Sequence, residues 1–494
     1  MAFAQLYYTS CEHGLTGLPG YQFNAVTPGV TAEVMREVER ITGYEPPADL
    51  VFEESGAHAG AYPVSLCYSP GASTMLANVV FAGTDFSNRF GNYFAHALVT
   101  ATPGADLSDA LPIETWQAEF WASSVAASTS LPVLPGPLRR GPLGSDAVDE
   151  FLRRHPGRPR LPAMLTAVAA AVSSGRRSVV LVSADTGANA AWIAAASYLL
   201  PPALVRRMSF TTYHRRPAYS PYDLVGTVPG CDLGSEAAEA FALFDFVEGT
   251  CSELDVHPLT ELLAAVGPAG GRGLWQQAEA MAGGDGGSLD AWYPPVAAAA
   301  ALLGRRLPQA HYDAAVRWFV DQAGRGALDP GPAAALAEAL LGHAGAGDRQ
   351  LREIIAGVHV AGAGRLVQGL DGLEAHLVRD ELERVAASGG RGGPELPRVS
   401  PAARERAARD CAQLLAAAEP PGVLALLRWA AGAGLELGDQ VVAGTGERLA
   451  RELAAGGPDA GLQGELWAAI STWAPLRHGL LEELDRLEIG RAHV

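Results

Sequence analysis

The chain has 494 residues, 48% of them hydrophobic, which is more than one core usually organises and suits three domains. Its 54 acidic against 36 basic residues leave a formal charge of -18 and a sequence pI near 5.1, so phosphate backbones and anionic lipid surfaces are repelled, and neither nucleic acid nor a membrane is expected as a partner. All 36 basic residues are arginine, which excludes a Walker A lysine, a kinase strand lysine and any lysine Schiff base.

Five cysteines, Cys11, Cys67, Cys231, Cys251 and Cys411, are scattered and never spaced as CxxC. This pattern fits a reducing compartment without a disulfide framework or zinc cluster, so a cytoplasmic protein with no metal and no cofactor is expected. The most apolar runs, PPVAAAAALL and AAWIAAASYLL, fall short of the roughly 18 residues of a membrane span.

The chain reads as a multidomain α/β protein. Residues 1–138 form an α+β N-terminal domain: AQLYYTS, PVSLCYS, MLANVVFAG and NYFAHALVT are short β-rich segments between Gly, Pro, Asp and Asn clusters. TAEVMREVERITGY between the first two carries Val34, Val38 and Ile41 at helical spacing, and WQAEFWASS adds a further element. Leu131–Gly144, LPVLPGPLRRGPLG, is rich in Pro and Gly and reads as an interdomain connection or extended loop.

Residues 139–256 read as a small α/β middle domain. LPAMLTAVAAAV sets Met164, Leu165, Val168 and Val172 on one helical face, and SVVLVSAD is the continuous apolar run of an internal strand flanked by helices. ANAAWIAAASYLL gives a second helix, and MSFTTYH and YDLVGTV follow, the latter as a strand. Residues 257–487 read as an all-helical C-terminal domain, with Leu351, Ile354, Ile355 and Val358 on one face and Leu366, Leu370, Leu373 and Leu377 on another. GHAGAGD, ASGGRGGPELP and AAGGPDAG cut it into short helices. The last seven residues, EIGRAHV from Glu488 to Val494, match what a common sequencing adapter encodes in frame, so the natural chain is expected to continue beyond about Leu487.

Five places could carry chemistry. SVVLVSADTGANAAW has the strand, loop and helix layout of a nucleotide-binding turn, but it lacks a Gly-rich cradle, and Asp185 would repel phosphate; a capped βα turn is the preferred reading. Cys11, Glu12 and His13 stand together after the first strand, but a catalytic Cys–His pair normally comes from distant segments, so the thiol's base would have to be one such as His96. The third place, Gly83–Val99, GTDFSNRFGNYFAHALV, is the strongest polar group. Asp85, Arg89 and Asn92 lie in and after a turn, and His96 sits in a strand apolar on both faces, with Asp85 as one candidate partner. Structural stitching of a buried strand is preferred there, and a ligand or partner pocket is the alternative. HRRP at His214–Pro217 and LRR at Leu138–Arg140 are local positive sites on an acidic chain, suited to a solvated loop or to an acidic partner or phosphate.

LYYTSCEHGLTGLPGYQFNAVTPGV, YPVSLCYSP and GTDFSNRFGNYFAHALV together resemble the N-terminal domain of the bacterial GTPase-associated proteins in their actinobacterial form. The Pro-rich junction, SVVLVSADT, MSFTTYH and the helical remainder resemble that family's middle and C-terminal domains. The resemblance implies a component of a GTPase-centred system, of the kind found in biological conflict such as defence, partnered by a GTPase or effector encoded nearby. It carries over no catalytic residue. A non-enzymatic adaptor or scaffold follows, with a hydrolase or small-ligand sensor built on Cys11, Asp85, Arg89 and His96 as the alternative.

Purified protein is expected not to hydrolyse GTP or ATP, because no lysine reaches a phosphate; turnover on the order of 1 per second in a phosphate-release assay would refute this.

Overall fold

The computed structural model describes residues 2–48, 50, 61–103, 107, 109–175, 177–234, 241–283, 287–343, 346–389, 394–395, 398–456 and 460–492. They divide into two compact units, Met1–Ala299 and Ala300–Val494. The fold is mixed α/β, with a large sheet and a mostly helical C-terminal region.

The first unit opens with β1 (Ala2–Cys11), β2 (Gly20–Val26) and α1 (Ala32–Ile41), followed by β3 (Ser65–Ser69), β4 (Thr74–Thr84) and β5 (Phe90–Thr100). Thr31 caps α1 by accepting the Val34 N–H, and Val38 and Ile41 are its buried face. A two-residue β6 (Leu134–Pro135) pairs with Ala2 and Phe3, so the Pro-rich junction is pinned to the sheet there. Then come α2 (Ser145–Arg154), α3 (Leu161–Ser174), β7 (Ser178–Val182), α4 (Thr186–Leu199), α5 (Pro202–Val205), β8 (Phe210–Thr211), β9 (Leu224–Thr227), β10 (Phe241–Asp245) and β11 (Thr250–Cys251).

Among the described residues these strands make one 11-stranded sheet in the order β11-β10-β7-β9-β8-β3-β4-β5-β1-β2, with β6 beside β1. β10, β7, β9 and β8 run parallel, which suits the β-branched run SVVLV, buried on both faces by helices. From β3 to β2 the sheet is antiparallel. The halves meet where β3 pairs with β8, Cys67 opposite Thr211 and Tyr68 opposite Phe210.

This joint makes one continuous sheet of strands from residues 1–138 and from residues 139–256. Leu6, Tyr8, Val79, Ala95 and Ala97 share one sheet face, and they belong to the same core cluster as Val180, Val182, Val225 and Phe241, roofed in part by Val38 and Ile41. Met164, Leu165, Val168 and Val172 of α3 are buried, as their spacing predicts, and α3 covers β7 on the other face.

Two expectations need correction. Trp116–Ser124 forms no helix or strand; Trp121 packs edge-on to His96 and the Ala122 N–H goes to that ring in place of a backbone partner. α6 (Pro258–Val266) and α7 (Pro268–Ala282) belong to the first compact unit, where Trp275 donates to the Leu199 carbonyl at 3.0 Å. Leu366 is exposed and precedes the helix to which it was assigned.

From α8 (Leu289–Leu302) onward the described elements are helical: α9 (Gln309–Gly324), α10 (Pro330–Leu341), α11 (Asp348–Val360), α12 (Leu370–Ser388), α13 (Pro401–Ala417), α14 (Pro420–Gly432), α15 (Asp439–Gly456), α16 (Ala460–Thr472) and α17 (Ala474–Ala492). Ile354, Ile355 and Val358 are buried on α11, as are Leu370 and Leu377 on α12. α15 packs closely on α17 because Gly446 and Gly479 have no Cβ; one added at either would lie 2.4 Å from the Leu476 carbonyl oxygen or 2.1 Å from that of Ala443. Parts of the breaks ASGGRGGPELP and AAGGPDAG, and His493 and Val494 of the tail, lie outside the described residues.

Phe210→Ala removes a fully buried ring at the joint and is expected to cost about 3–5 kcal/mol. Amide exchange should rise together in β1, β5 and β7; exchange that rises in β7 while β1 and β5 stay protected would count against one cooperative sheet.

Candidate functional site

Gly83–Val99 is the β4–β5 hairpin and its returning strand, and two separate polar groups share it. At the turn, Asp85 Oδ1 accepts the Ser87 N–H (2.8 Å), the Ser87 hydroxyl (2.7 Å) and the Arg89 N–H (3.0 Å). Asp85 Oδ2 accepts from Ser10 Oγ at 3.2 Å and pairs with the Arg89 guanidinium at 3.1 Å. The turn thus needs its carboxylate, and Asn88 adopts φ 64 within it, a conformation asparagine tolerates. Hydrogen bonding, led by the Ser87 hydroxyl, holds the Asp85 carboxyl well below its ordinary range. Asn92 continues the stitch, with Oδ1 taking the Ser10 N–H (3.1 Å) and the Thr9 hydroxyl (3.2 Å).

His96 belongs to the second group. Its Nδ1 accepts the Ala122 N–H at 3.0 Å, so the proton resides on Nε2, which donates to Gln5 Oε1 at 3.0 Å. Tyr7 and Trp121 stand edge-on to the ring, at centroid distances of 4.8 and 5.1 Å. Its partner is therefore Gln5, in place of the Asp85 considered from the sequence. Burial lowers its pKa to about 3.

Cys11 lies apart from this imidazole. His96 is paired across the strands with Tyr7, four residues and about 13 Å along β1 from Cys11. The Cys11 thiol donates to the His13 carbonyl at 3.1 Å, and burial raises its pKa, disfavouring the thiolate. Asp185 caps α4 through the Ala188 N–H at 2.8 Å, where a phosphate on this turn would have to sit.

Around this stitching the unit exposes unusual surfaces. The β1–β2 and β4–β5 turns lie at the same end of the sheet, tied by the Tyr21 hydroxyl donating to the Gly91 carbonyl at 3.0 Å. That end presents Leu15, Leu18 (71% exposed), Tyr21 (48%), Phe86 and Phe90 (48%), with Phe90 backed by the stacked rings of Phe81 and Tyr62. Tyr93 leads from Tyr21 to a concavity of about 430 Å³ at the HRRP stretch. A cavity of about 620 Å³ elsewhere in the unit is lined by Tyr68, Leu111, Tyr198, Leu200 and Trp275, with Arg272 and Asp109 among its polar groups. The apolar turn residues escaped the sequence reading, although GLTGLPGY and TDFSNRF place them between turn-forming residues, where apolar side chains have little core to enter.

Comparison with known proteins gives these features a family. GTPase-associated protein 1 supplies three matches: its N-terminal domain type 2 at residues 2–137, its middle domain at 148–248 and its C-terminal domain at 274–493. The chain belongs to the GTPase-associated protein 1 family. Two curated relatives, from Mycolicibacterium smegmatis strains MKD8 and ATCC 700084 / mc(2)155, both bear the name "Putative ESX-1 scaffolding and assembly protein SaeB". They are 31% identical over 282 residues and 30% identical over 281. Each match covers 52% of this chain and 32% of the relative, so the chain spans about a third of the proteins it resembles. No solved structure matches it. Among the described residues no helix is long and apolar enough to cross a membrane.

His96 yields a pH prediction. Its folded pKa lies below the free value, so its contribution to stability is complete above about pH 6.5 and is lost as pH falls toward 3. Between pH 6 and 4 it should add about 1.4 kcal/mol per pH unit to the fall in unfolding free energy. His96→Ala should cost about 1–3 kcal/mol at pH 7 by leaving the Ala122 N–H and Gln5 unpaired, and should flatten that slope. Urea unfolding across this range checks both; an unchanged slope in the variant would assign the effect elsewhere.

Proposed function

We propose that this chain is a non-enzymatic adaptor or scaffold in a GTPase-centred bacterial system, docking a GTPase or effector protein through the apolar end of its sheet. The observation that carries the reading is that end itself: Leu18, Tyr21, Phe86 and Phe90 stand exposed on two turns. Each turn is braced from behind, by Asp85, Asn92 and Ser10 in one case and by the Tyr21–Gly91 hydrogen bond in the other. Exposed aromatic and aliphatic side chains on a preorganised backbone lose little entropy when covered, which is how interface anchors gain affinity. The family's association with GTPases and the scaffolding name of the SaeB relatives support the same reading. In it the protein acts in the cytoplasm, consistent with five unpaired cysteines, and a conflict or defence system is the setting.

The test is binding of the purified chain to the GTPase encoded beside it, by calorimetry, with the GTPase loaded with a non-hydrolysable GTP analogue or with GDP. Leu18→Asp is expected to weaken binding at least about tenfold with an unchanged thermal midpoint, since that side chain is solvent-facing, and Phe90→Asp to weaken it as much with a small fall in the midpoint, since its ring packs on Phe81. Binding that ignores both substitutions would remove the sheet end as the docking surface.

A further inference from the structure

The HRRP stretch has no role in that docking end, yet its surroundings are organised. It leaves β8 and runs through Arg215 and Arg216 into a single 3-10 turn, Pro217–Tyr219, held by the Tyr219 N–H on the Arg216 carbonyl at 3.0 Å. The concavity of about 430 Å³ beside it is lined by Tyr44, Tyr93, Tyr213, His214, the two arginines and Tyr219. Its floor is rigid. Tyr44 and Tyr213 are buried, their rings 5.4 Å apart, and their hydroxyls donate to the Pro63 carbonyl (2.8 Å) and the Glu45 carbonyl (2.7 Å). The rim is the reverse: the Tyr219 ring is 81% exposed.

The charges are unbalanced in a way that suits an anion. Arg215 Nη1 and Arg216 Nη2 both lean on a single oxygen of Glu45, each at 3.3 Å. Two guanidiniums against one half-exposed carboxylate leave a positive excess on a chain whose net charge is -18. His214 adds a donor, because its Nδ1 accepts the Arg216 N–H at 3.2 Å and the proton is left to Nε2. Long contacts to one half-exposed carboxylate are readily exchanged for the bidentate contacts a phosphate offers.

We propose that this concavity binds a nucleoside monophosphate, its base stacked on Tyr219 and its phosphate taking the place of the Glu45 carboxylate on Arg215 and Arg216. A purine is favoured because its larger face gains more from stacking on tyrosine. The volume is in the range of small-molecule sites. This site adjoins the docking end through Tyr93, whose ring lies 5.2 Å from that of Tyr21, but is lined by none of Leu18, Tyr21, Phe86 and Phe90, and it stands whether or not a GTPase binds there.

The experiment is calorimetric titration of the full chain with GMP, AMP, guanosine, inorganic phosphate and phenyl phosphate. At least one nucleotide should bind at least about tenfold more tightly than guanosine or phosphate alone. Arg215→Ala combined with Arg216→Ala, and separately Tyr219→Ala, should each weaken it at least about tenfold with an unchanged thermal midpoint, while Leu18→Asp leaves it unaltered. Phosphate binding as well as the nucleotides would overturn the stacking half of the site. Phenyl phosphate binding equally well would reassign it to a phosphorylated tyrosine on a partner. No binding of either nucleotide at millimolar concentration, or binding indifferent to the three substitutions, would overturn the proposal outright.

Discussion

The sheet of the first unit depends on one short joint, the pairing of β3 with β8. β8 contributes only Phe210 and Thr211 to the ladder, too little backbone pairing to hold two half-sheets together. Hydroxyl groups complete it. Thr212 Oγ1 accepts the Leu66 N–H at 2.8 Å and donates to the Val64 carbonyl at 2.9 Å, and Ser65 Oγ donates to the Tyr213 carbonyl at 3.0 Å. These groups are buried, so leaving any one unpaired would carry the desolvation penalty of a lost hydrogen bond. The Tyr222 hydroxyl, donating to the Ile41 carbonyl at 2.9 Å, ties α1 to the far half in the same manner.

A second constraint explains why the Pro-rich junction is no linker. Glu114 is buried, yet its carboxylate takes the Leu111 N–H at 2.8 Å, the Arg140 guanidinium at 3.1 Å and the Tyr198 hydroxyl. Those donors come from before the junction, from within it and from α4. A buried carboxylate with three donors holds its surroundings firmly, because removing any donor leaves a charge in a poor solvent for it. His96 does the same with neutral chemistry: its two nitrogens fasten the irregular segment at Ala122 to Gln5 of β1, and Gln5 Nε2 passes on to the Pro132 carbonyl at 2.8 Å.

The rigidity so obtained bears on function. Loops that recognise partners work best on a scaffold that fixes them before binding. Here the polar side chains of GTDFSNRFGNYFAHALV are spent on fixing the turn and the strand, and the apolar ones, Phe86 and Phe90, are left to the outside. The family match spans nearly the whole chain in three parts, whereas the structure fuses the first two parts into one sheet.

The strands at AQLYYTS, PVSLCYS, MLANVVFAG, NYFAHALVT and SVVLV, and the helices at TAEVMREVERI and LPAMLTAVAAAV, were legible in the sequence because periodicity and turn residues are local signals. Polar residues in apolar strands were legible as a group, and so was the family. The partners of those residues were not. That His96 meets Gln5 and Ala122 while Asp85 meets Ser10 depends on which strand lies beside β5, with Ser10 and Asp85 75 residues apart and Gln5 and His96 91 apart. The two-residue β8 and the irregular Trp116–Ser124 carry no period to read. The joining of the two half-sheets was invisible for the same reason: a two-residue ladder and a few buried hydroxyls decide it, and a serine or threonine looks the same in sequence whether it faces water or closes a hydrogen bond across the core.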